Sequence, residues 1–151
     1  MRYGTAARWL LTGMMCLLAS VAAAQDAKVS PLMAKDLAGF AGKEGMMLTV
    51  EYAPGGSSAK HRHNAQVFVY VLEGSIVMQV EGGAAVTLGP GQTFYESPTD
   101  VHVVSKNASD SRPAKFVVFF VKDKGAPPVV PVPYRQNMDQ TDPGQGQSSM
   151  V

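Results

Sequence analysis

The chain has 151 residues, a formal net charge of +1 and a single cysteine. That length fits one domain. A near-neutral balance with no lysine or arginine stripe excludes the electrostatic footprint of a nucleic-acid binder or of a protein that coats anionic membranes.

Arg2 and Arg8 lead into the apolar run WLLTGMMCLLASVAAA, which ends on Ala22, Ala23 and Ala24. A basic start, a short apolar middle and a small-residue end form the layout of a secretory signal peptide. A membrane anchor is the other reading, but the run is shorter than the roughly 20 residues a spanning helix needs. Gly13-Met14-Met15, just before Cys16, do not make a lipidation site. Residues 1–24 are therefore expected to be removed after Ala24. The product is expected to be exported, periplasmic or secreted, with no membrane attachment afterwards. Removal takes Cys16 with it, so the mature chain has no disulfide and no thiol ligand. Its core must stabilise it alone, which is feasible at this size.

Next comes PLMAKDLAGF (31–40), which could hold a turn or two of helix. From Met46 onward the text reads as strands: 46–52, 66–74, 75–83, 84–91, 92–97, 102–107 and 114–123. Each is short, rich in Val, Phe and Tyr, and bounded by Gly, Pro, Asn or Ser. Closely spaced strands without long helices predict an all-β sandwich or barrel. VFVYVL and KFVVFFV are apolar on both parities, where a strand with one wet face would alternate. Both faces are thus expected to be covered, one by the opposite sheet and the other by a second subunit. After Gly125, GAPPVVPVPYRQ is proline-rich and is an extended or edge segment at most. The polar end beyond it has too little apolar content to fold by itself. The domain is therefore placed at 25–124 and a Pro-rich, disordered tail at 125–151.

The chain has three histidines, His61, His63 and His102. In an extended segment, residues i and i+2 point the same way, so His61 and His63 project to one side. A third imidazole from a later strand would complete a three-nitrogen set, which suits Zn, Cu, Fe and Ni. A lone His-x-His pair is also common as surface or satisfied core histidine. Met46, Met47, Met78, Phe94 and Phe116 read first as core and second as a pocket wall. GPGQ reads as a tight turn, since no helix follows it to make an anion site.

The stretch from Met46 to Val121 resembles the cupin family. Gly55, five residues, His61-Arg62-His63, three residues, Val67, six residues and Gly74 follow the first cupin motif. Gly91, five residues, Ser97, Thr99, His102 and Asn107 follow the second loosely, with Asn107 one residue late. The resemblance implies a double-stranded β-helix, the jelly-roll barrel, and commonly a homodimer. It implies a divalent metal (Fe, Zn, Mn, Ni or Cu) on His61, His63 and His102, and a small-molecule ligand or substrate. Ser97 and Thr99 replace the motif's Pro and Gly, and Val67 stands where the family has its glutamate ligand. Valine cannot coordinate. Gln66 is adjacent but of outward parity, and would need a bulge to become an extra ligand. Glu51 and Glu96 are the carboxylates nearest by strand position. With iron, the resemblance implies a dioxygenase-like enzyme. With zinc, a bound water is the reactive group. A non-catalytic small-ligand- or metal-binding module is the alternative, because the fold hosts both.

Overall fold

The computed structural model describes residues 27–133. The expected signal peptide, Cys16 and the tail beyond 133 lie outside the described residues. Among these residues, strands follow one another without an α-helix: β1 (Lys28–Asp36), β2 (Lys43–Tyr52), β3 (Ser57–Ser58), β4 (His61–Arg62), β5 (Gln66–Glu73), β6 (Ile76–Val80), β7 (Val86–Leu88), β8 (Thr93–Glu96), β9 (His102–Asn107), β10 (Ala114–Asp123) and β11 (Val130–Pro131).

One sheet has five strands in the order β1-β2-β10-β5-β8. The other runs β11-β4-β9-β6-β7, with β3 pairing β9. Every paired ladder is antiparallel. From β4 onward the chain passes repeatedly from one sheet to the other, as in a jelly roll. The expected all-β barrel is the observed one.

Residue alternation decides what fills the barrel. On β10 the even residues Ala114, Phe116, Val118 and Phe120 are buried. They meet Leu48, Val50 and Tyr52 of β2 and Val67, Val69 and Val71 of β5 in one core. Ile76, Met78 and Leu88 contribute from the opposite sheet. Each such side chain contributes about 1.5–3 kcal/mol by leaving water. The outer parity of β5 differs from expectation: Phe68 and Tyr70 are each 48% exposed. Among the described residues no layer lies over them.

The 31–40 stretch is not helical. Strand β1 runs to Asp36, and Phe40 N–H donates to Leu37 O in the turn that follows. An isolated helical turn fixes several dihedrals for very few hydrogen bonds. The edge ladder offers far more, running from Lys28↔Glu51 to Asp36↔Glu44 with a bulge between Pro31 and Met33. Gly82 and Gly91, both at positive φ, shorten the strands expected at 75–83 and 84–91. Gly74 closes the first motif for a steric reason. Its φ is +70°, and a Cβ there would lie 2.4 Å from Pro113 O.

The segment after Gly125 belongs to the barrel as far as it is described. Val130 pairs with Arg62 and Pro131 with His61, making β11 the edge strand beside β4. The buried Lys122 ammonium donates to Ala126 O at 2.5 Å and to the Glu44 carboxylate, anchoring the start of this return.

Candidate metal centre

The three histidines are brought together by one ladder and one parity. His61 on β4 and His102 on β9 are direct cross-strand partners, so their side chains share a face. His63 lies two residues beyond His61. Asn64 follows it at φ 49°, a left-handed conformation that asparagine tolerates. His61, His63, Ala65 and Val67 are all buried, so the odd residues point inward through the turn.

All three rings are buried, and one nitrogen from each lies within 4.8 Å of the others. His61 Nδ1–H donates to Ala59 O at 2.7 Å, and His63 Nδ1–H to Pro128 O at 2.6 Å. Those bonds fix the tautomers and turn both Nε2 lone pairs inward. The two Nε2 atoms stand 3.1 Å apart. Burial, the largest influence, pushes both imidazoles below their ordinary pKa, so a proton shared between them is disfavoured. Phe120 packs edge-on against His63 at 5.2 Å, and Phe94 stacks on His102 at 6.0 Å.

Glu96 ends β8, is 2% exposed, and pairs directly with Val67 of β5. Its Oε2 lies 3.2 Å from His102 Nδ1 and 3.5 Å from His63 Nε2. Neither approach has hydrogen-bond geometry. Glu96 Oε2 and both nitrogens of His102 have no hydrogen-bond partner among the described residues. Buried polar atoms are normally satisfied. Two converging lone pairs and orphaned nitrogen and oxygen atoms beside them fit a bound cation. Imidazole nitrogen with an anionic oxygen suits a divalent first-row metal.

Two sequence candidates are not brought to the centre. Gln66 points outward as its parity dictates, and its Oε1 accepts a hydrogen bond from Tyr95 OH. Glu51 faces outward too, 3.2 Å from Lys115 and 3.5 Å from Lys28. The Lys115 ammonium holds its carboxyl below the usual range. Val67, at the family's glutamate position, is fully buried among the core residues.

The centre opens on a cavity of about 290 Å³ inside the barrel. Its walls are mostly apolar, with Val50, Val69, Met78, Phe116 and Val118 among them. One polar cluster interrupts them. Tyr52 OH lies 2.7 Å from both Ser58 Oγ and Ser105 Oγ, and Ser105 donates onward to Met78 Sδ. Sequence reasoning missed this cluster and the Pro128 carbonyl. Hydroxyls on three separate strands carry no shared motif, and a backbone oxygen carries none at all.

Residues 48–120 match the family model described as Cupin domain. Residues 48–120 are thus a cupin domain, and the jelly-roll fold is shared with a cupin among the solved structures the chain resembles. It is similar to the DMSP lyase DddQ of Ruegeria pomeroyi at 22% identity and TM-score 0.51, over 57% of this chain and 42% of that one. The chain thus spans less than half the lyase's length. A conserved double-stranded β-helix protein of Klebsiella pneumoniae matches at 19% identity and TM-score 0.55, over 67% of this chain and 81% of that one. An oxalate oxidase in complex with the substrate analogue glycolate matches at 24% and 0.54, over 69% and 54%. At these identities the likeness is one of fold. No curated protein matches the chain.

Proposed function

We propose that this protein is an exported cupin that holds one divalent metal on His61, His63 and His102 and uses it on a small organic molecule seated in the barrel. The observation that carries this reading is the convergence of three buried imidazoles whose free nitrogens lack protein partners or face one another. Fe, Zn, Mn, Ni and Cu are the candidate ions. When bound, such an ion supplies Lewis acidity to a chelating ligand and, if redox-active, oxygen chemistry. The chain's own residues do the rest. The Ala59 and Pro128 carbonyls hold two rings in place, the apolar wall excludes water, and the Tyr52 cluster offers a polar anchor. The neighbours named as a lyase and an oxidase support an enzymatic use of the scaffold. A non-haem oxygenase is the enzyme reading.

A non-catalytic binding module is favoured by one observation. The cavity hydroxyls are bonded to one another, and Lys60 is paired with Glu81 at 2.8 Å, so among the described cavity residues Glu96 alone, beside the three histidines, remains as an unpaired acid or base. Oxygen uptake by iron-loaded protein across diketones, phenols and thiols separates the two readings. Uptake that disappears in His102→Ala establishes the enzyme. Tight ligand binding without uptake establishes the module.

The outer face of the five-stranded sheet supports a homodimer. Phe68 lies 5.4 Å from Tyr95 and 6.3 Å from Phe119, ring to ring, and Phe68, Tyr70 and Tyr95 are about half exposed. Monomers seldom leave so contiguous an aromatic face in water. Phe68→Glu should lower the sedimenting mass to that of one chain, while an unchanged mass would remove the dimer from this face.

A further inference from the structure

We infer that the carboxylate ligand of this centre is Glu96, moved across the β5–β8 ladder from the position that Val67 occupies. The inference rests on the metal reading above and adds a fourth donor to it. Val67 and Glu96 are direct partners in an antiparallel register. Directly opposed side chains leave the same face with Cβ atoms about 4.5–5.5 Å apart. A glutamate on either strand therefore reaches the same region of the barrel. Here the longer, charged side chain grows from β8, and the branched apolar one fills the β5 side, fully buried.

Three features separate a ligand from a structural carboxylate. The side chain is 3% exposed, so bulk water reaches little of it. Its Oε2 has no hydrogen-bond partner among the described residues, although two imidazoles stand within 3.5 Å. The neighbouring His102 Nδ1 is unbonded as well, so the pair does not act as donor and acceptor. A buried anion left in this state is costly unless a cation meets it. Three neutral imidazoles and one carboxylate give a set of three nitrogens and one anionic oxygen. That set reduces a divalent ion to a net charge of +1 and favours borderline first-row cations over Ca²⁺ or Mg²⁺.

The test uses the protein as recovered from its host, with Zn²⁺ as the probe in competition with a chromophoric chelator. Four variants are compared with wild type: Glu96→Gln, Glu96→Val, His61→Ala and the exchange Val67→Glu/Glu96→Val. Glu96→Gln should weaken Zn²⁺ binding at least tenfold, about 1.4 kcal/mol. Its metal-free form should melt no lower than wild type, because a buried unpaired charge has been removed. Glu96→Val should bind as poorly. The exchange should return most of the lost affinity. Co²⁺ absorption provides a second readout, and the Glu96→Gln spectrum should differ from wild type through loss of an anionic donor. Wild-type affinity and an unchanged Co²⁺ spectrum in Glu96→Gln would overturn the inference while leaving the three-histidine centre standing. An exchange variant that folds but binds no better than Glu96→Val would also overturn it, assigning Glu96 to the support of His102. A wild type that binds as little Zn²⁺ as His61→Ala would remove the metal reading and this inference together.

Discussion

Two charged side chains are buried among the described residues of this barrel, and they are treated in opposite ways. Lys122 and Glu96 are 4% and 2% exposed; Lys122 ends the inward-facing apolar row of β10, and Glu96 follows Phe94 on the inward face of β8. The Lys122 ammonium has three donors. They meet the Glu44 carboxylate, Ala126 O and, at 3.4 Å, Asp123 O. Glu96 Oε2 meets no donor, although two histidines are close by. A buried charge whose bonds are complete within the chain is a structural fastener. One whose bonds are left open is positioned for a partner that the chain does not supply.

The comparison breaks if the two sites respond alike. Lys122→Met should be the most destabilising change, because it removes the bonds to Glu44 and Ala126 O that fasten the return to β11. Chemical denaturation reads this directly. Glu96→Gln should leave that stability unchanged or raised.

The C-terminal return links the two ends. Stopping the chain after Gly125 removes Pro128, whose carbonyl holds His63 Nδ1. Loss of such an outer partner typically costs about 10–100-fold in metal affinity. Zn²⁺ competition should show a fall in this range, even if the truncated barrel remains folded. If the truncated chain folds and keeps its affinity, the return would be a passive edge strand.

The pH response should come from the open site. Burial keeps His61 and His63 below the ordinary imidazole pKa. The unfolded chain therefore takes up protons that the folded chain does not. Their contribution to metal-free stability is present in full above about pH 6.5 and declines as the pH falls below it. Denaturation midpoints at about pH 7.5 and about pH 5.5 should show a lower value in acid, with a smaller drop in His61→Ala. The smallest effect is expected from removal of residues 135–151, which should shift stability by no more than about 0.5 kcal/mol.

How much of this was legible in the sequence follows from the range of each interaction. The strands β2, β5, β9 and β10 carry their own alternation or turn signals and were readable. Strand β1 was not, because its side chains are exposed on both faces and leave no period. Strands β3, β4 and β11 have two residues each, too few to show one. His61 and His63 point inward and Gln66 outward, the directions that strand parity alone dictates. Glu96 could be named but not positioned, since its role depends on which residue of β5 it faces across a ladder closed by β8. The bond from His63 to Pro128 spans 65 positions and uses a backbone atom, so no pattern of side chains could announce it.

The most direct test of the account is metal content by elemental analysis together with divalent-ion affinity, on the protein as recovered and on His61→Ala. The wild type should carry a single tightly held first-row ion per chain, and the variant should hold none stoichiometrically. A wild type that neither carries nor takes up such an ion, or a variant that binds as wild type does, would contradict it.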